Sequence, residues 1–284
     1  MVADRNTHDF SFEFFPPKNE QGEERLWKTI ERLAPLHPDY VSVTFGAGGS
    51  TRERTFATVA EIREKAGLDA APHLSCIGSD KETIRGILER YRDSGIKRIV
   101  ALRGDIPEEG EAFKEGGFRY ANELVEFIRE FGGFEIAVGA YPEFHPETPD
   151  PDKDIENFVR KAKAGADKAI TQYFFNNDAY YRFVDEVQRR GVDIPIIVGL
   201  MPIANFPQID RFSATCGADI PRWIRLRMEA FGDDTKSQQK LGIDIATRQA
   251  EELLANGAPG IHFYTLNRGV PTAAVWRNLG LGQA

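Results

Sequence analysis

Cysteine is scarce in this sequence: Cys76 and Cys216 are the only two among 284 residues. Neither belongs to a CxxC pair, and no Cys/His cluster has zinc spacing, so disulfide scaffolds and structural zinc sites drop out. Long apolar runs are missing as well. None approaches the ~18 residues that a transmembrane helix needs. The first residues, Met1 to Asp9, are polar and lack the apolar stretch of a secretory signal. Positive charge is not in excess. A formal net charge of −8 argues against a nucleic-acid or anionic-membrane partner. It does not argue against anionic small molecules, since a local site can be basic on an acidic protein. The dinucleotide fingerprint GxGxxG is absent; Gly46-Ala-Gly-Gly49 comes close with the wrong spacing. There is no low-complexity linker. A reduced, cytoplasmic, single-domain protein spanning 1–284, with 1–9 as a loose N-terminus, is the expectation.

What is present is alternation. Hydrophobic residues make up 41% of the chain, enough for a sizeable core. Short β-branched or aromatic runs are each followed by a longer polar stretch of helical character. Eight strands are expected: Phe10–Phe15, Tyr40–Phe45, Ala71–Cys76, Arg98–Leu102, Phe134–Tyr141, Lys168–Phe174, Ile194–Leu200 and Gly260–Leu266. Helices are expected near 20–34, 52–66, 80–94, 119–131, 154–164, 178–190, 205–216 and 237–256. The stretch 217–236 is extra, with room for a short helix. Ser50-x-x-Glu53 and Ser79-x-x-Glu82 read as capping boxes. Gly95, Gly165, Gly191 and Gly257 read as helix stops. Alternating β and α elements imply parallel strands. Eight units at this length favour a closed (β/α)8 TIM barrel, of class α/β, over an open doubly wound sheet.

In such a barrel the active site lies at the C-terminal ends of the strands. Side chains alternate along a strand, so residues two apart share a face. Phe10, Phe12 and Phe14 then form one face, and Ser11 and Glu13 the other, pointing inward. By the same rule Ser42 and Thr44 share a face, as do His73 and Ser75. Strand four runs into Leu102-Arg-Gly-Asp105, strand five into Tyr141-Pro-Glu-Phe-His145, strand six through Thr171-Gln-Tyr173, and strand eight into Thr265-Leu-Asn-Arg268. Nearly every strand ends in polar residues, and that convergence marks a site.

Glu13 stands out. A carboxyl flanked by phenylalanines inside a barrel is desolvated, which disfavours its charged form and suits a general acid. Pairing with a buried arginine is the structural alternative. Gly46–Thr51 follows a strand and begins a helix, which suits an anion, though an ordinary βα loop reads the same way. Asp105 could equally pair with Arg103. His73, His145 and His262 lie on or just beyond strands, but HxH and HExxH spacings are missing, so no metal is expected. His262 shares parity with Tyr264 and could face the helices as a core histidine. Tyr173, Phe174, Phe175, Tyr180 and Tyr181 read more readily as core than as a ligand platform.

The residues alone reach a barrel enzyme with an organic-ligand pocket and a buried acid. Seven blocks go further. They are Ser11-Phe-Glu-Phe-Phe-Pro-Pro17, Val41-Ser-Val-Thr-Phe-Gly46, Ala71-Pro-His-Leu-Ser-Cys76, Ala101-Leu-Arg-Gly-Asp105, Ala140-Tyr-Pro-Glu-Phe-His-Pro146, Ile170-Thr-Gln-Tyr-Phe-Phe175 and His262-Phe-Tyr-Thr-Leu-Asn-Arg268. Together, in this order, they resemble the methylenetetrahydrofolate reductase family, in its short bacterial form without a regulatory domain.

The resemblance implies FAD held non-covalently at the strand ends. It implies reduction of 5,10-methylenetetrahydrofolate to 5-methyltetrahydrofolate, with NADH or NADPH as donor in an alternating reaction that feeds methionine synthesis. It also implies a homo-oligomer. By motif position, Glu13 resembles the family's general acid, and Asp105 the aspartate near flavin and pterin. Gln172 resembles the pterin-binding glutamine, Phe212 an aromatic against the aminobenzoate, and Leu266 and Arg268 further substrate contacts. Flavin-contacting positions match Thr44 and His73, then Leu102, Arg103, Gly104 and Asp105 after strand four. Tyr120, Tyr141 and His145 follow, and then Asp154, Asn157 and Lys161. Arg103 and Lys161 would offset phosphate charge. The insert Glu108–Gly117 is expected to be a mobile loop. Two other readings compete: a non-catalytic sensor on the same barrel, and a metal-dependent hydrolase or lyase.

Overall fold

In a computed structural model, which describes residues 7–45, 49–105 and 114–282, eight parallel strands close into a barrel in sequence order. The strands are β1 (Asp9–Phe14), β2 (Tyr40–Val43), β3 (Ala70–Ser75), β4 (Arg98–Leu102), β5 (Glu135–Ala140), β6 (Lys168–Thr171), β7 (Ile196–Leu200) and β8 (Gly260–Tyr264). Between them run α1 (Glu20–Leu33), α2 (Gly49–Glu61), α3 (Lys81–Asp93), α4 (Ala121–Phe131), α5 (Pro151–Lys163) and α6 (Asn177–Arg189). Three helices separate β7 from β8: α7 (Phe206–Cys216), α8 (Arg222–Ala230) and α9 (Thr235–Ala255); α10 (Gly269–Asn278) follows β8. The α8 helix fills the extra stretch anticipated at 217–236.

Alternation along β1 divides two environments. Phe10, Phe12 and Phe14 are fully buried beneath the helical shell. Phe10 and Phe12 each pack on Trp276 of α10 with ring centroids 5.4 Å apart, and Phe263 of β8 joins them. Burying rings of this size contributes roughly 2–3 kcal/mol each, which anchors the last helix to the closing seam of the barrel. Ser11 and Glu13 point inward. The parallel register pairs Ser11 with His262 and Glu13 with Tyr264. Register partners face the same side of a sheet, so His262 lies inside the barrel and not against the helices. Parity along β8 could not decide this, because it groups His262 with Tyr264 without saying which side the pair takes.

The N-terminal end of the barrel is closed by charge. Lys168 pairs with Asp9 and Glu135, and Arg98 with Asp69 and Glu135, around the ring of Tyr40. Above this floor the interior is filled by Ala71, Val100, Ala137, Ile170 and Ile197. Two boundary signals shift. The cap of α3 is Asp80, whose carboxylate accepts from the Thr83 amide at 2.7 Å, and not Ser79, which is occupied by the Arg52 guanidinium. The side chain of Ser50 and the backbone of 46–48 lie outside the described residues, so the expected capping box and glycine loop there are not part of this account. Residues 108–113 of the expected mobile insert lie outside them too. The four glycine stops behave as expected, each with positive φ.

Candidate functional site

A cavity of about 1080 Å³ opens at the C-terminal ends of β4 and β5. Its inner wall is the turn after β4: Leu102, Arg103, Gly104 and Asp105. Gly104 adopts φ +87°, and a Cβ there would collide with the Ser75 hydroxyl. That hydroxyl donates to the Arg103 carbonyl at 2.7 Å, so β3 pins the turn. Across the cavity stand Tyr141 and His145, their rings in edge contact at 4.6 Å. The α5 helix supplies Asp154, Asn157 and Lys161, and the start of α4 supplies the exposed Tyr120. Ten of the twelve expected cofactor positions therefore line one cavity. Thr44 and His73 do not, although Phe45, next to Thr44, does.

The charge of this cavity differs from that of the protein. Among the described residues six cations line it (Arg52, Arg103, Lys114, Lys153, Arg160 and Lys161), against four acids, Asp105, Glu147, Asp150 and Asp154. Arg103 pairs with Glu147 at 2.7 Å and not with Asp105. The Nε of Arg52 is buried without a hydrogen-bond partner. Lys161 donates to the Gly139 carbonyl, and burial pulls its ammonium down to about 8, against the attraction of Asp154. Burial also pushes Tyr141 up to about 12, with Asp105 adding to the rise, and lowers His145. Arg52, Lys114, Lys153 and Arg160 were missed in the sequence. For Lys153 and Arg160 the signal was helical: Lys153, Asn157, Arg160 and Lys161 fall at spacings that share one face of α5.

Glu13 lies in a second environment, inside the barrel. It is 8% exposed. The Nε2 atoms of His73 and His262 approach its Oε2 at 3.3 and 3.6 Å. The Ser42 hydroxyl lies 3.2 Å from His73 Nε2, and the Ser11 hydroxyl 2.7 Å from His262 Nδ1. Burial drives His73 down to about 4, so this imidazole is neutral at pH 7. The expected alternative, a buried arginine partner, is not found among the described residues. The end of β8 holds the backbone beside Glu13. Thr265 donates its hydroxyl to the Glu13 carbonyl at 2.6 Å. Asn267 accepts from the Phe15 amide and donates to the Phe15 carbonyl, both at 2.9 Å. Leu266 and Asn267 take positive φ to make this clamp, a conformation uncommon outside glycine. Neither Thr265 nor Asn267 had been singled out.

The remaining expected substrate positions are spread along the rim from β6 to β8. Gln172 follows β6, its amide N–H donating to the Ala140 carbonyl at 2.7 Å and its Oε1 accepting from the Tyr173 amide. Leu266 packs against the apolar cluster that contains Tyr173 and Phe206. Phe212 on α7 is 39% exposed, and Arg268 is exposed. None of the four lines the large cavity. Tyr173, Phe174 and Tyr180 are buried, which favours the core reading of that aromatic run. Among the described residues no group of three or more His, Cys, Asp or Glu is placed to hold a metal ion. No described helix is long and apolar enough to cross a membrane.

With this geometry in view, comparison with known proteins is decisive. The family model "Methylenetetrahydrofolate reductase" matches residues 1–280. The chain belongs to the methylenetetrahydrofolate reductase family. Relatives named 5,10-methylenetetrahydrofolate reductase include one from Salmonella typhimurium, 42% identical over 271 residues that cover 95% of this chain and 90% of the relative. Another, from Buchnera aphidicola, is 42% identical over 277 residues, covering 98% and 94%. Among solved structures, an uncharacterized protein from Clostridium thermocellum that binds two copies of 5-methyl-5,6,7,8-tetrahydrofolic acid superposes with a TM-score of 0.66. It covers 97% of this chain and 96% of its own, at 16% identity, which bears on the barrel fold alone. Membership of the reductase family explains why the seven sequence blocks fall at strand ends.

Proposed function

We propose that this protein reduces 5,10-methylenetetrahydrofolate to 5-methyltetrahydrofolate in two alternating half-reactions, with FAD as cofactor and NADH or NADPH as donor. The observation that carries this reading is the pairing of a large, cation-lined cavity with a buried carboxyl at the same end of a reductase-family barrel. The cavity suits a dinucleotide. Its volume is at the upper end of small-molecule sites, and its excess of cations answers a pyrophosphate. The unpartnered Nε of Arg52 is a donor awaiting an acceptor. A bound FAD would take up hydride from the nicotinamide and give it to the folate.

This chain's own residues supply the rest. Lys161 and Arg103 hold negative charge at the cavity, and Tyr141 offers an un-ionised hydroxyl and an aromatic wall. Glu13 delivers a proton to the nitrogen that leaves the methylene carbon, which opens the bridge to the 5-iminium cation that accepts hydride. Asp105, at the cavity edge, stabilises that cation and accepts from the pterin's N–H groups. Gln172 can both donate to and accept from the pterin. Phe212, Leu266 and Arg268 would meet the rest of the folate from the β7–β8 rim. A cytoplasmic homo-oligomer is part of this reading. The test is the visible absorption spectrum of the purified protein, before and after anaerobic NADH or NADPH and then methylenetetrahydrofolate. A flavin band that bleaches with the nicotinamide and returns with the folate supports the proposal. A colourless protein that gains no band on adding FAD overturns it.

A further inference from the structure

We infer that His262 is a positioning residue for Glu13: with Ser11 and Ser42 it forms a polar seat inside the barrel that orients the carboxyl and matches it in both protonation states. This inference rests on the reading of Glu13 as the acid. The seat spans four neighbouring strands, with His262 from β8, Ser11 and Glu13 from β1, Ser42 from β2 and His73 from β3. Ser11, Ser42 and His262 have no exposed surface.

The imidazole of His262 is held on both sides. The ring of Tyr40 stacks beneath it at 6.4 Å and 24°, and the ring of Tyr264 meets it edge-on at 5.3 Å and 88°. Tyr264 is itself tied down, donating its hydroxyl to the Thr171 carbonyl at 2.7 Å. Nδ1 is fixed by Ser11 at 2.7 Å. Nε2 is then aimed between Ser42 Oγ at 3.5 Å and Glu13 Oε2 at 3.6 Å. Ser11 satisfies Nδ1 and Ser42 is the hydrogen-bond partner of Nε2; the same Nε2 also faces the carboxyl.

The choice of imidazole has a chemical logic. Among the described residues, the basic side chains in ion-pair reach of Glu13 are these two histidines, with no lysine or arginine. A fixed cation would hold Glu13 as a carboxylate and oppose its service as an acid. A neutral imidazole has one donor and one acceptor nitrogen, and a serine hydroxyl can turn to serve either. With the Ser11 hydroxyl adapting at Nδ1, Nε2 can accept from the carboxylic acid or donate to the carboxylate. The seat therefore follows Glu13 through its cycle without stranding a buried polar atom.

The experiment uses the full chain labelled with ¹⁵N at histidine, read by ring-nitrogen NMR, alongside rapid-mixing measurement of the two half-reactions. Glu13→Gln should shift the Nε2 resonance assigned to His262, the assignment coming from its loss in His262→Asn. His262→Asn keeps a polar atom near Ser11 but removes the group facing Glu13. It should slow the folate half-reaction roughly tenfold to a hundredfold more than the nicotinamide half-reaction, the scale of misplacing a reacting group. His262→Gln, whose amide reaches the Nε2 position, should recover most of that loss. An unmoved Nε2 resonance in Glu13→Gln, or equal losses in both half-reactions, would overturn the inference. Should the His262 variants fail to fold, Ser11→Ala removes only a hydroxyl and must produce the same resonance shift and the same rate ratio. If the wild type shows no folate half-reaction, the functional proposal fails, while the NMR coupling still decides whether the seat exists.

Discussion

The cavity over β4 and β5 and the chamber around Glu13 occupy one end of one barrel, yet they are made of different materials. The cavity is walled by turns and helix starts, is partly open to solvent, and gathers six cations against four acids among the described residues. The chamber is walled by strand side chains, is largely buried, and among the described residues has hydroxyls and imidazoles to meet its carboxyl. The cavity can bind by net charge because water screens the surplus until a ligand arrives. The chamber cannot tolerate surplus charge, since an unpaired ion there would cost several kcal/mol. Holding a charged ligand and supplying a proton thus call for opposite dielectric surroundings, and the barrel provides them side by side.

The sharpest way to break this comparison is Glu13→Gln. The amide preserves shape and loses only the transferable proton. The folate half-reaction should fall by about 10²–10⁴-fold, the usual worth of a positioned acid. Flavin reduction by nicotinamide needs no such proton and should keep nearly its normal rate. Rapid-mixing absorbance of each half-reaction checks this, and equal losses in both would remove Glu13 from the role.

The chamber should also report itself through stability. His73 is neutral in the fold down to about pH 4, whereas an unfolded histidine protonates near pH 6.5. Between these values the unfolded chain binds the extra proton. Stability contributed by neutral His73 is therefore complete above pH 6.5 and is lost as pH falls towards 4, by about 3 kcal/mol. Urea unfolding at pH 7 and pH 4 should show that much less decline in His73→Gln than in wild type. Parallel declines would mean that the imidazole is not kept neutral by burial.

How much of this could be read in advance differs between the two regions. The chamber's acid was legible, because Phe-Glu-Phe alternation puts Glu13 opposite two core rings whatever the topology. Its partners were less so. His262 is 249 residues from Glu13, and its inward orientation depends on the β1–β8 register, which no local pattern encodes. The clamp by Thr265 and Asn267 was hidden for the same reason. The barrel order followed from simple alternation, and β4 kept both expected ends, while ends of the other strands moved by up to three residues; β6 stops at Thr171, where Gln172 turns its side chain back to the Tyr173 amide. In the cavity, ten of the twelve flavin positions carried by motif share one lining, and Thr44 and His73 do not. Lys153 and Arg160 escaped notice because a charged helix face reads as ordinary solvated surface.

In the cavity the instructive group is Lys161. Its ammonium is lowered to about 8 by burial, so the free protein sheds this charge as pH rises through 8. A phosphate-bearing ligand favours the charged form, so binding takes up a proton when the pH exceeds that value. Affinity for FAD should be flat below pH 7 and fall above pH 8, approaching tenfold per unit if no other group compensates. Lys161→Met should remove the dependence and weaken binding at pH 7 by roughly ten- to a hundredfold, the range for a hydrogen bond to a charged group. Titration of the apoprotein followed by flavin fluorescence measures both. A slope unchanged by Lys161→Met would assign the phosphate to other cations, with Arg160 and Arg52 next to be tested.

The smallest effect is expected where the two regions meet. Asp105 is exposed at the cavity edge, and solvent screens it. Its charge should still raise the cost of placing an electron pair on a neighbouring flavin and lower the cost of the folate cation. Asp105→Asn should therefore raise the flavin midpoint potential slightly and slow the folate half-reaction by about fivefold, the equivalent of one weakly screened contact. The two changes share one cause and must appear together. A slower rate with an unmoved potential would place Asp105 on the folate alone, and a moved potential with an unchanged rate would mean that the cation is stabilised from inside the barrel.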